Sequence, residues 1–192
     1  MNSTEMKTKL LHYWRFNRKY YYIATEVGNF NADVLCSNGK EIVECEVKTS
    51  YADFLNDFKR KVNKHEIYSN VTRWGASECP TKFYFAVAND LTEKVKKYLE
   101  DSPYGVIEIS SIELTSFKTS NRKVIRYCKI IKQAKKLHGF FDERLHNKII
   151  MRSGSELIRA RLTLKVPKLT VVVSDNSLTI TTNSKLEVKN EL

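Results

Sequence analysis

The sequence predicts a mixed α/β fold, with a central sheet flanked by helices. Three observations carry that prediction. The first 110 residues read in turn as helix, strand meander, helix, strand, helix and strand, an order that suits layered α/β packing better than a helical bundle or an all-β barrel. Asn38-Gly39 lies between two strand-like segments and is a hairpin signal, because both residues tolerate the positive φ of a tight turn. Finally, the 192 residues are 42% hydrophobic and 11% aromatic, with 6 Gly and 3 Pro. That composition supplies a core and excludes collagen-like, coiled-coil-only and wholly disordered chains.

The elements follow in order. Met6, Leu10, Leu11 and Trp14 recur at helical spacing and predict a helix over 4–16. Residues 20–27 are aromatic and β-branched and predict a strand; 29–31 interrupt it, and 32–36 resume it. Over 41–48 the pattern alternates. Ile42, Glu44, Glu46 and Lys48 share one face, while Val43, Cys45 and Val47 share the other. Ser50 is a suitable N-cap, with Asp53 completing a capping box, for a helix running to about residue 65. Its stripe is Phe54, Leu55, Phe58 and Val62, and Asp57 and Lys61 are spaced to pair on an exposed face. A loop punctuated by Trp74, Gly75 and Pro80 leads to an apolar strand over 81–88, a helix over 89–100 and a strand over 105–109.

Beyond residue 110 the character changes. Residues 121–165 hold 13 Lys or Arg against 3 acids, which is nearly all of the net charge of +11. A basic amphipathic helix is expected over 124–137, with a strand start at 124–127 as the alternative. A second helix is expected over 153–164, with Ser153 as cap and Pro167 ending it. A hairpin over 169–173 and 178–182 turns at Asp175-Asn176. The expected division is a core over 1–110 and a basic C-terminal extension over 111–192, packed on that core.

Several function classes are disfavoured. No run approaches 18 apolar residues, no apolar leader is visible, and Cys36, Cys45, Cys79 and Cys128 form no CxxC pair. A soluble cytoplasmic protein with reduced thiols is expected. Nucleotide-binding glycine motifs and the GxSxG frame are absent. His12, His138 and His146 lack metal or nucleophile spacing, while His65 suits a structural or substrate-contacting role. The basic charge favours a polyanionic partner.

The chemistry centres on Asp33 and Glu46-Val47-Lys48. Two carboxylates on neighbouring hairpin strands can converge as hard oxygen ligands for Mg²⁺. Lys48, two residues on, reaches the same place and can hold the attacking water and offset charge at phosphorus. Glu44 shares the face and suits support of Lys48, of a backbone amide or of the metal. The structural alternatives are that Asp33 closes the turn and that Glu46 and Lys48 form a solvated cross-strand pattern. Arg126, Lys129, Lys132, Lys135, Lys136 and Arg144 are candidates for phosphate contacts that carry no sequence information, or for a solvated helix face.

These residues resemble the PD-(D/E)XK nuclease superfamily. Asp33 matches its first acid, with Ala32 in place of the preceding proline, and Glu46 and Lys48 match its (D/E)XK element. The run from Glu44 to Ser50, continuing with Asp53-Phe54 and Asp57, resembles the MmcB-related branch of DNA-repair nucleases. The resemblance spans roughly residues 4–110. It implies a restriction-endonuclease-like α-β-β-β-α-β core and divalent-metal-dependent endonucleolytic or exonucleolytic hydrolysis of DNA. The implied metal is Mg²⁺, with Mn²⁺ as substitute, held by Asp33, Glu46 and the Val47 carbonyl. Glu5, or Glu26 as its rival, takes a supporting role. The alternative function is a catalytically weak or inactive nuclease-fold DNA-binding subunit of a repair or mobile-element complex. RNA as substrate and a homodimer stay open. The basic residues of 121–148 are expected to form one wall of a groove that opens onto Lys48.

Overall fold

The computed structural model describes residues 1–71, 78–117, 123–163, 169–174 and 177–182. The chain forms two compact units, Met1–Glu156 and Leu157–Leu192. The first is built on a six-stranded sheet in the order β1-β2-β3-β4-β5-β6. Its strands are β1 (Tyr22–Ala24), β2 (Val34–Ser37), β3 (Ile42–Lys48), β4 (Lys82–Ala88), β5 (Gly105–Phe117) and β6 (Lys123–Lys132). The β3–β4 and β4–β5 pairs are parallel and the remaining pairs antiparallel, so the sheet is mixed, as the element order predicts.

Helices cover both faces. On one, Met6 and Leu10 of α1 (Ser3–His12), with Tyr13 and Trp14 of the π-helical turn that follows (Tyr13–Asn17), bury Val43, Cys45, Val47, Tyr84 and Ile107. On the other, Phe54 of α2 (Tyr51–Arg60), Tyr68 of α3 (Val62–Ser69) and Val95 of α4 (Asn89–Tyr98) bury Phe83, Phe85, Val87 and Val106. Leu145 and Ile149 of α5 (Glu143–Thr163) pack with Ala24, Leu35 and Ile42. In the second unit, β7 (Leu169–Ser174) and β8 (Ser177–Thr182) pair antiparallel, as the sequence predicts. Trp74, Gly75, Pro167 and the Asp175-Asn176 turn lie outside the described residues. Among the described residues no helix is long and apolar enough to cross a membrane.

Several elements differ from expectation. The β2–β3 turn is a four-residue loop, since Ser37 pairs with Ile42; Gly39 takes φ +84°, and the Asn38 carboxamide accepts the Lys40 and Glu41 N–H groups. The expected strand over 20–27 shrinks to β1, because positive φ at Glu26 and Gly28 turns the chain immediately afterwards. The expected helix over 51–65 breaks at Lys61, whose φ of −110° and ψ of 40° end α2 and begin α3. The expected basic helix over 124–137 is instead β6: its β-branched and aromatic residues extend a sheet already present at β5. The cap expected at Ser153 falls inside α5, which begins ten residues earlier where the Asp142 carboxylate accepts the Leu145 N–H at 2.9 Å. The expected division at residue 110 falls within β5, and the first unit continues through Glu156.

Gly105 is fixed by close approach. It pairs with Tyr84, and a Cβ there would lie 2.3 Å from the Tyr84 ring and 2.7 Å from the Ala134 nitrogen. Gly105→Ala is expected to cost about 2 kcal/mol through this overpacking. Urea denaturation would read the loss, and unchanged stability would show that the ring yields freely.

Candidate active site

The site forms where the hairpin forks. β2 pairs with β3 only as far as Val34 opposite Cys45, whereas β3 continues through Glu46, Val47 and Lys48 beside Phe85, Ala86 and Val87 of β4. The Val47 N–H that β2 leaves unmatched donates to Asp33 Oδ2 at 2.8 Å. Continuing the register sets Asp33 opposite Glu46. The alternation read in the sequence then puts Glu44, Glu46 and Lys48 on the face covered by α2 and α3.

That face is charged yet buried. Glu44 and Glu46 are each 2% exposed and Lys64 is 0% exposed. Such burial is tolerable only if the charges are paired. Lys64 bonds Glu46 Oε1 and lies 2.5 Å from Glu44 Oε1, a charge contact rather than an aligned hydrogen bond. Lys61 bonds Glu46 Oε1 at 2.9 Å, Lys48 lies 3.6 Å from Glu46 Oε2, and Tyr68 donates to Glu44 Oε2 at 2.6 Å. Lys48 bonds Asp57 Oδ1, while His65 Nε2 lies 3.0 Å from Asp57 Oδ2 and His65 Nδ1 lies 3.1 Å from the Tyr104 hydroxyl. Asp33 is met from the other side by Lys7 of α1, 2.7 Å from Oδ1, and Lys7 also bonds Glu26.

These environments set the protonation states. Burial, reinforced by the charge of Glu46, raises the Asp33 carboxyl above its ordinary value, and Lys7 only partly offsets this. Burial would raise Glu46 too, but Lys64 and Lys61 outweigh it and hold Glu46 low. Burial opposes the Lys48 charge, yet Asp57 and Glu46 raise its ammonium above the usual value. Burial likewise opposes ionised Asp57, but His65 and Lys48 keep it well below the usual range.

The structure thus brings Asp33, Glu46, Val47 and Lys48 together, with Glu44 beside them and Glu26 linked through Lys7. Glu5 does not join; it pairs with Lys9 along α1. The expected Asp57–Lys61 pair forms, at 3.6 Å, but not on an exposed face: Asp57 is 4% exposed, and it also grips the Lys48 ammonium. Sequence reading missed Lys7, Lys61 and Lys64 as partners of the acids. The usable signal was the spacing of Asp57, Lys61, Lys64 and Tyr68, which returns to one side every three or four residues after the charged strand.

The basic segment runs along the sheet. Through β5 and β4, Lys129 is level with Lys48 and Lys132 with Glu46, three strands away. Beyond β6 the chain reaches the start of β3, where the Leu137 N–H donates to the Thr81 carbonyl and Thr81 Oγ1 accepts the Ile42 N–H. Leu137 thus lies six residues or roughly 20 Å from Lys48 along the strand. Lys132 donates to the Ser102 and Tyr104 carbonyls at 2.6 Å each, so its charge is engaged within the fold. Lys129, Lys135, Lys136 and Arg144 are exposed, and the Arg126 side chain lies outside the described residues.

A different opening adjoins the acids. A cavity of about 370 Å³ is bounded by Asn29, Phe30 and Asn31 on one side and by Arg60 to Lys64 on the other. Among the described residues no group of three or more His, Cys, Asp and Glu is arranged to hold a metal ion. The donor chemistry of Asp33, Glu46 and the Val47 carbonyl nevertheless suits a hard cation that keeps several waters, and the mutual repulsion of the two acids favours one. Lys7, Lys61 and Lys64 supply the compensating positive charge in the fold itself.

Asp57→Asn is expected to destabilise the protein by about 3 kcal/mol at neutral pH, because it strips the buried Lys48 ammonium of its nearest counter-charge. The lowered carboxyl value fixes the sign. The stabilisation by Asp57 is complete above about pH 4 and fades as pH falls further, so the gap between the two proteins should close in acid. A gap of constant size in denaturation series would remove the charge as its source.

No protein-family model matches this chain, and no curated protein matches it. Among solved structures it is similar to SPO1766 from Silicibacter pomeroyi, described as a protein of unknown function, at 14% identity and a TM-score of 0.52. The match covers 86% of this chain and 97% of that one, and what the two share is a fold: a mixed sheet between helices.

Proposed function

We propose that this chain is a divalent-metal-dependent deoxyribonuclease with a restriction-endonuclease-like core of the PD-(D/E)XK type. The observation that carries the reading is the fork, where Asp33 and Glu46-Val47-Lys48 meet at the point where β2 and β3 separate. Mg²⁺ or Mn²⁺, held by Asp33, Glu46 and the Val47 carbonyl, would supply Lewis acidity toward a phosphodiester. The chain supplies the rest. Lys48, kept protonated by Asp57 and Glu46, cannot take up a proton; it donates hydrogen bonds that orient water and neutralise charge on the phosphoryl oxygens. Asp57 and His65 fix the direction of that ammonium. Arg60 and Lys61 at the cavity rim attract the phosphate backbone.

A second reading has its own observation. Glu46 contacts three ammonium groups and Asp33 a fourth, a saturation that suits a nuclease-like fold serving as a DNA-binding subunit with little or no cleavage. Incubation of the full chain with labelled single-stranded, duplex and plasmid DNA and with RNA separates the two. Cleavage of DNA with Mg²⁺ or Mn²⁺, lost with EDTA, is the expected result. Binding without cleavage across that panel would favour the second reading.

A further inference from the structure

We infer that the turn joining α1 to the sheet, residues 15–22, is a docking surface for single-stranded nucleic acid, formed by exposed rings interleaved with exposed cations. It lies away from the acidic site and does not depend on the function proposed there. Phe16 is 67% exposed, Tyr21 60% and Tyr22 40%. Arg15, Arg18 and Lys19 between them are exposed, and no acid occurs from residue 6 to residue 25.

The fold presents these groups deliberately. Trp14, just before the segment, and Tyr20, within it, are buried and contact each other edge-on at 4.8 Å, which anchors the chain between them. The π-helical turn and the positive φ of Lys19 set the intervening side chains outward. Arg15 stands over both the Phe16 and Tyr21 rings, 5.9 and 5.1 Å from their centroids, which groups the two rings around one cation. Phe16 touches the His12 ring at 5.0 Å and Tyr22 the His146 ring at 4.6 Å, yet all three aromatic side chains stay exposed. Faces of that kind stack unpaired bases, and the adjoining guanidinium and ammonium groups match the phosphates. A duplex hides its base faces and leaves only the charges to bind.

The surroundings extend the same field. Tyr22 pairs with Ser37, and Ser37 with Ile42, so this turn meets the sheet at the end where Leu137 also arrives. Glu41, which Tyr20 of this segment bonds, is also paired with Lys82. Exposed Lys40 and Lys136 flank that pair in the sequence and at the sheet end, respectively. The Lys136 end of the basic segment thus adjoins the ring-bearing turn.

Fluorescence anisotropy of the full chain with labelled oligothymidine, in EDTA so that cleavage cannot intrude, tests the inference. Phe16→Ala and Tyr21→Ala should each weaken binding about tenfold, while affinity for a blunt duplex of equal length changes less than about twofold. The triple variant R15Q/R18Q/K19Q should lower the slope of log affinity against log salt by about 2. All these positions are exposed, and thermal melting confirms that each variant is folded. Ring variants that bind as the wild type does, equal losses on duplex and single strand, or competition by polyglutamate as strong as by unlabelled oligothymidine would each overturn the inference.

Discussion

Asp33→Asn and Lys48→Ala are each expected to slow DNA cleavage by about 100- to 1,000-fold while leaving DNA affinity within about twofold. Asp33→Asn is the sharper variant. The asparagine keeps an oxygen for the Val47 N–H, which Asp33 accepts at 2.8 Å, so the fork can keep its shape while one negative charge is lost. Its amide nitrogen would then face the Lys7 ammonium, so its rate is read beside its melting temperature. Lys48→Ala removes an ammonium that bridges Glu46 and Asp57, so its rate must be read beside its melting temperature. Unchanged cleavage by Asp33→Asn, across Mg²⁺ and Mn²⁺, would take Asp33 out of the chemistry. Equal loss of cleavage and of DNA binding by either variant would move that residue from catalysis to substrate binding.

The strand carrying this site was legible because strand periodicity is short and unforgiving. A slip of one residue in 42–48 would carry Glu44, Glu46 and Lys48 into the apolar core under α1 and set Val43, Cys45 and Val47 among the charges of α2 and α3, so the alternation fixed the facing of Glu46 and Lys48. The Ser50 cap was legible for a local reason: its hydroxyl accepts the Asp53 N–H at 3.1 Å, a contact written entirely within four residues. What sequence could not supply was the far side of each charge. Asp57 sits in the first helix after the strand and reads as surface, since a carboxylate is seldom buried unless paired. Its partners Lys48 and His65 lie nine residues back and eight ahead, and only the break at Lys61 and the packing of α2 and α3 on β3 bring all three together.

The basic segment failed for a different reason. Lysines spaced three apart at 129, 132 and 135 mimic one wet face of a helix. In β6 Lys129 pairs with Glu108 and Lys132 with Val106 across a register shift, Lys135 lies beyond the strand, and pairing with β5 decides the outcome. Concentration of charge along the chain likewise said nothing of direction. The antiparallel β5–β6 pairing leaves Lys129 level with Lys48 across β4 and β5, and the chain reaches the start of β3 only at Leu137.

Lys64→Met is expected to be the most destabilising single change at the site, costing about 4 kcal/mol at neutral pH. Lys64 is fully buried and its ammonium is shared by Glu44 and Glu46, so its loss leaves two adjacent buried carboxylates facing each other. The double variant Glu44→Gln/Lys64→Met should recover a large part of the loss, because an amide can still accept from Tyr68 and one of the two charges is gone. The pH dependence separates this variant from Asp57→Asn. Without Lys64, burial and mutual repulsion raise both carboxyls, so the folded variant binds protons more tightly than its unfolded chain does. Its stability then falls as pH rises, and its deficit should begin to shrink above the ordinary glutamate value of about 4.3, before the Asp57→Asn gap starts to close. A loss below about 1 kcal/mol, or one independent of pH, would mean that Lys61 and Lys48 alone sustain the acids. The site would then tolerate removal of an ammonium from the place where the proposed function requires a cation.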